Sequence, residues 1–314
     1  MRITNMMSIN GYLRSLYTNN KRTYDLGMQL AKNKKILRVS DDPIGVTRSI
    51  QARKDLSYKT QYQKNIDDCK TYLTQTESCL MQINDIYQSL TEITKSVSTD
   101  LYGESEQKAV ATQVKNLQEE FLSIANTTYS GKYIFGGYNT YNAPFKVDDA
   151  GNVIYNGINL TDAGYNDADV VDERSQNIAF EIEKGSVFSV TFNGVQLMGV
   201  GEENLYNVMT QFVSDLESGT LDAEGAMEYS GKFKEGLDSI LDLVTECGAK
   251  SARIDLVNER YSDDLLNLEE LRSSVEDVDM AETITKWQVA QNSYDTALAV
   301  CARLIQPSLL DFLK

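Results

Sequence analysis

Between Tyr62 and Val97 the chain repeats buried-type side chains in alternating steps of four and three residues. The positions are Tyr62, Ile66, Cys69, Leu73, Thr76, Leu80, Ile83, Tyr87, Leu90, Thr94 and Val97. A second run of the same kind passes through Phe233, Leu237, Ile240, Val244, Cys247, Ser251, Ile254, Asn258, Tyr261, Leu265, Leu268, Arg272 and Val275. A mean spacing of 3.5 residues is the seam of helices that pack lengthwise as coiled coils. At about 1.5 Å per residue, these runs predict rods of roughly 50–65 Å. A third seam, Val110, Val114, Leu117, Phe121, Ile124 and Thr128, predicts a helix from Glu104 to Thr128. A loop around Leu101-Tyr102-Gly103 would fold it back on the first as an antiparallel pair.

From about residue 132 to 200 the period moves from 3.5 towards 2. Asn156-Gly157 and Asn193-Gly194 lie between alternating or β-rich residues, Ser189-Val190-Thr191-Phe192 and Val195-Gln196-Leu197-Met198 flanking the second pair. Asn-Gly suits the two positive φ angles of a type I′ turn, so both pairs predict hairpins. Helices resume near Glu202. The last seam, Met280, Ile284, Trp287, Gln291, Tyr294, Leu298, Cys301 and Ile305, is out of step with the one before it, because Val275 and Met280 are five residues apart. The slip falls on Glu276-Asp277-Val278-Asp279. At the other end Ile9, Leu13, Leu16, Asn20 and Tyr24 form a shorter stripe. It stops before Ser40-Asp41-Asp42-Pro43, a cap followed by proline at a first helical position.

The expected fold is mainly α with a β insert: a long antiparallel helical bundle made from both chain ends, with a small antiparallel β domain in the middle. The expected domains are terminal helices over 1–40 and 280–314, a helical rod over 41–138 and 202–279, and a β-rich insert over 139–201. The terminal stripes Ile9, Leu13 and Leu16, and Ile284, Trp287, Tyr294, Leu298 and Cys301, would be free in a monomer and are candidates for subunit contact. Leu309, Leu310 and Phe312 at the extreme end are candidates for partner or chaperone contact. A terminal helix without tertiary packing is marginal in water, so these ends are expected to order on assembly or capture.

Composition narrows the function classes. No stretch approaches the roughly 18 apolar residues of a membrane helix, so no membrane insertion is expected. The start Met1-Arg2-Ile3-Thr4-Asn5 has no apolar signal core, so a cleaved signal peptide is not expected. The formal charge of −16 is uneven: residues 1–64 carry 13 Lys/Arg against 4 Asp/Glu, and the rest 17 against 42. The acidic body disfavours nucleic acid, and the basic start reads as the solvated face of helices with Lys32, Lys34, Lys35 and Arg38 as its tight cluster. The chain has no histidine and four cysteines without a CxxC. A Ser-His-Asp or Cys-His centre is therefore excluded, and zinc would lack its usual spacing. Asp148–Asn152 and the acidic stretch Asp162–Asp169 read as turns without the ligand pattern of an EF-hand, and Glu181/Glu183 as the wet face of a strand. No enzyme activity, metal or cofactor is expected.

Several segments taken together resemble the flagellar hook-associated junction proteins of the bacterial flagellin family. They are Met1-Arg2-Ile3-Thr4-Asn5, Ser40-Asp41-Asp42-Pro43, Asn126-Thr127-Thr128, Tyr133-Ile134-Phe135-Gly136-Gly137-Tyr138, Gln291–Leu298 and Ser308–Leu313. The chain departs from the family at Asn33, where a glycine is usual, and at Gly248-Ala249-Lys250-Ser251-Ala252-Arg253, where the arginine is displaced. The resemblance implies a secreted structural component of the flagellum. It implies terminal helices lining the axial tube, export unfolded through a type III apparatus, and an export chaperone. The implied partners are the first hook-associated protein, flagellin and further copies of the chain in a helical ring. Two alternatives stay open: a flagellin subunit, and a secreted coiled-coil effector or adhesin.

Overall fold

A computed structural model describes residues 5–99, 103–148, 151–160, 178–219 and 221–305. It resolves into two compact units, residues 61–261 and residues 1–60 with 262–314. Two helices contribute to both: α2 (Pro43–Thr99) and α6 (Ala223–Glu276).

In the unit formed by residues 61–261, every position of the first seam from Ile66 to Val97 is buried. A second row, Tyr72, Cys79, Ile86 and Ile93, is buried beside it. The apolar face of α2 is thus wider than a two-stranded seam, because it meets more than one neighbour. On one side lies α6, antiparallel. Tyr62 meets Tyr261 with ring centroids 6.3 Å apart, the Cys247 thiol donates to the Leu73 carbonyl at 3.6 Å, and Tyr87 lies against Gly236. On the other side the Tyr72 hydroxyl donates to the Ile134 carbonyl at 2.6 Å. The seam threonines Thr76 and Thr94, and Thr91 beside them, are satisfied within the helix, each donating to the carbonyl four residues back. Burial pushes the Cys69 and Cys247 thiols up to about 12 and 11, so both behave as small apolar groups. α3 (Glu104–Ala125) packs on α5 (Leu205–Ser218), with Lys115 bonded to Glu217 and Gln118 to Thr210. The third seam ends early: Thr128 is exposed and opens a strand.

The β region holds three small antiparallel sheets. β1 (Thr128–Tyr129) and β2 (Lys132–Tyr133) pair around Ser130-Gly131, both at positive φ. β3 (Phe145–Val147), β4 (Val153–Tyr155) and β5 (Ile158–Asn159) form the second sheet. Here the Asn156-Gly157 expectation holds: Tyr155 pairs Ile158, and the two turn residues sit at φ 50° and 90°. β6 (Ala179–Glu183) and β7 (Ser186–Ser189) form the third, turning at Lys184-Gly185.

The Asn193-Gly194 hairpin is not there. Asn193 caps a short helix, α4 (Gly194–Met198), its side chain accepting from the Val195 N–H at 3.1 Å. Gly194 is needed for contact rather than for a turn, since a Cβ would come within 2.3 Å of the Tyr155 ring. The Asp148 carboxylate accepts from the Asn152 N–H at 2.9 Å; Asp149 and Ala150 between them, and Asp162–Asp169, lie outside the described residues. Glu181 and Glu183 are exposed as expected. A register shift lies between them, and Glu183 pairs Arg260 at 3.2 Å.

The motif residues of this unit have structural reasons. Ile134 and Phe135 are fully buried, and Tyr155 donates to the Phe135 carbonyl at 3.0 Å. A Cβ on Gly136 would lie 2.5 Å from the Asn139 carbonyl. Asn126 bonds both backbone groups of Phe145, standing in for a strand partner. The Lys250 and Arg253 cations lie over the Phe192 and Phe188 rings, so the rearranged basic pair holds the chain around β7.

Candidate assembly surface

In the unit formed by residues 1–60 and 262–314, α1 (Asn5–Lys32) and α7 (Met280–Ile305) pack along each other. The inner face of α7 runs Thr283, Trp287, Ala290, Tyr294, Ala297 and Cys301, all buried or half-buried. Trp287 lies against Gly27, where a Cβ would sit 3.4 Å from the indole nitrogen. On α1 the half-buried positions Leu16, Asn19, Thr23, Leu26 and Leu30 follow the same spacing.

The predicted stripes therefore divide. Leu16, Trp287 and Tyr294 serve the α1–α7 contact, and Cys301 is buried in it rather than offered to a partner. Leu13, Ile284 and Leu298 are 46%, 41% and 41% exposed. The Ile9 side chain and Leu309, Leu310 and Phe312 lie outside the described residues. Exposed apolar positions that the sequence reading passed over include Tyr17, Ile44, Ile50, Tyr58, Val289 and Val300. Tyr12 and Ser15 of α1 face Val289, Ser293, Thr296 and Val300 of α7 across an open groove of about 560 Å³.

This unit is turned inside out relative to the other. Among the described residues, its buried hydrophobic side chains are Ala52, Ala290 and Cys301 alone, while sixteen large apolar side chains are exposed. The other, larger unit exposes eight.

The connections are tightly built. α1 ends in a Schellman turn, with Lys34 N–H donating to the Gln29 carbonyl and Asn33 at φ 53°. Asparagine thus takes the left-handed conformation for which glycine is usual. Asp41 accepts from the Leu37 and Arg38 N–H groups, Asp42 caps α2 through the Gly45 N–H at 2.9 Å, and Pro43 opens the helix. Across the unit, the Lys35 N–H donates to the Glu276 carbonyl at 2.7 Å. The Glu276 carboxylate accepts from Ser49, from Arg53 through two nitrogens at 2.5 Å, and from Lys34 at 3.4 Å. Hydrogen bonds from Arg53 are the first cause holding this carboxyl down at about 2.

No described helix is long and apolar enough to cross a membrane. Among the described residues, no cluster of three or more His, Cys, Asp or Glu is arranged to hold a metal.

The described residues comprise two long antiparallel helices, a pair of terminal helices and a set of small antiparallel sheets in the middle of the sequence. The family model of the bacterial flagellin N-terminal helical region matches residues 3–140. The chain is 24% identical over 309 residues to flagellar hook-associated protein 3 of Escherichia coli (strain K12), covering 93% of each. A solved flagellar hook-associated protein from Vibrio parahaemolyticus superposes with a TM-score of 0.65 at 18% identity, over 76% of this chain and 100% of that one. Flagellin of Clostridium tyrobutyricum is 26% identical, but over 41% of this chain and 34% of its own length. The chain is thus similar to the flagellin N-terminal helical region over residues 3–140 and, along most of its length, to flagellar hook-associated protein 3.

Proposed function

We propose that this protein joins the flagellar hook to the filament, seated on the first hook-associated protein below and receiving flagellin above. The observation that carries the reading is the inside-out unit of residues 1–60 and 262–314. A unit that, among its described residues, keeps three small apolar side chains inside and sixteen large ones outside has surface available for neighbours. The match to hook-associated protein 3, 24% identical over 93% of both chains, favours the junction over the filament, against 22% identity over 91% of this chain to a flagellar filament core protein of Treponema phagedenis and a partial match to a flagellin. Copies of the chain would meet through unlike surfaces, an arrangement that builds helical arrays. Export as an unfolded chain, held by a chaperone at its C-terminal segment, completes the reading. The terminal helices, the long helices and the β insert would then act as the assembly layer, the rigid body and the outer face.

Deletion of the gene tests it. Electron microscopy should show hooks without filaments, with flagellin shed into the medium. Normal filaments would overturn the junction role, and missing filaments with no flagellin in the medium would favour a flagellin subunit instead.

A further inference from the structure

Glu276 is the last residue of α6 and only 6% exposed, in a unit with almost no apolar core. Its carboxylate gathers Ser49 and Arg53 from α2 and Lys34 from the connection between α1 and α2. Its backbone carbonyl takes the Lys35 N–H, and two residues on the Val278 N–H donates to the Asn33 carbonyl at 3.4 Å. One side chain thus fastens α2, the α1–α2 connection and the α6–α7 turn at the place where the chain enters and leaves the α1–α7 pair. The neighbouring charges are otherwise engaged: Asp277 accepts from Ser273, Asp279 caps α7 through the Glu282 N–H, and Arg272 pairs Glu269.

We propose that the Glu276 carboxylate is a latch. Within its own unit it fixes the direction in which the α1–α7 pair leaves α2 and α6, and loss of its charge frees the pair to swing. In a unit without a packed core, direction must come from polar contacts, and a two-nitrogen guanidinium–carboxylate pair supplies geometry as well as energy. The carboxyl, held near 2 chiefly by Arg53, stays ionised at any pH near neutrality. The device is therefore a fixed latch and not a pH sensor. Opening it requires a competing charge or a change of residue. The inference goes beyond the junction role and does not depend on it.

The test uses the isolated full-length protein, with nitroxide labels at introduced cysteines replacing Tyr17 on α1 and Tyr58 on α2, which are 71% and 54% exposed. Pulsed dipolar spectroscopy should give one narrow distance distribution. Glu276→Gln should abolish that single peak and broaden the distribution, with far-UV helicity retained. If Glu276→Gln loses helicity, Arg53→Lys decides, because it keeps the charge and loses the fork. A broadened distribution in that variant supports the latch. A distribution as narrow as the parent's in either helical variant, or a broad one in the parent, overturns it. Since the readout needs no hook or filament, its failure leaves the junction role standing.

Discussion

Glu276 is the residue at which the charge pattern of the sequence acquires a meaning. The basic start of the chain meets its own acidic later half: Lys34 and Arg53 reach Glu276, and Lys59 reaches Asp264. These pairs, and not an external acidic partner, account for part of the asymmetry. Exposed pairs contribute about 0–1 kcal/mol each. Glu276 differs because its side chain is buried and accepts from four donors. Severing a buried pair costs about 3–5 kcal/mol, but Arg53 is 51% exposed and stays hydrated when abandoned. Glu276→Gln is therefore expected to cost about 1–3 kcal/mol. The carboxyl is held below its ordinary value of 4.5, so its contribution is complete above that pH and drains away as pH falls towards about 2. The stability difference between parent and variant, followed by thermal melting from pH 6 to pH 2.5, should shrink on acidification. A difference independent of pH would contradict the assignment.

At the scale of elements, the packing of α2 on α6 depends on a glycine. A Cβ at Gly236 would lie 2.3 Å from the Tyr87 ring, and Tyr87 is 3% exposed. Alanine in a helix interior ordinarily gains about 0.5–1 kcal/mol over glycine. Overpacking a filled core costs about 1–3 kcal/mol, so Gly236→Ala should lower the urea midpoint, and a raised midpoint would show that the two helices sit further apart. The lengthwise seams were legible because burial along a helix face repeats in the sequence. The second buried row at Tyr72, Cys79, Ile86 and Ile93 was not, since it depends on how many neighbours a helix has. Asn193-Gly194 misled for a related reason: asparagine caps helices as readily as it turns hairpins. The choice was made by Tyr155 and Phe145, about forty and about fifty residues away, against which Gly194 packs. The β6–β7 turn at Lys184-Gly185 carries a weaker local signal than Asn-Gly and went unread.

For the whole molecule, the proposed junction role would divide the work of folding from the work of assembly between the two units. One buries its seams, and the other leaves its apolar side chains outside. The candidate surface was half legible: periodicity found stripes on the terminal helices, yet it does not distinguish a stripe that meets its partner helix from one that meets another molecule. On α7, one register separates Ala290 and Ala297, which face inwards, from Gln291 and Leu298, which the sequence seam had chosen. Trp287, Tyr294 and Cys301 are shared by both registers. On the proposed junction role, the exposed members Leu13, Ile284 and Leu298 are the positions at which assembly would separate from folding. The most direct measurement is complementation of a deletion strain with the triple variant Leu13→Asp, Ile284→Asp, Leu298→Asp. The substituted side chains are exposed, so the purified variant should melt as the parent does. The account predicts hooks without filaments under the electron microscope, with the variant and flagellin both found in the medium. Filaments of normal length on those hooks would contradict it.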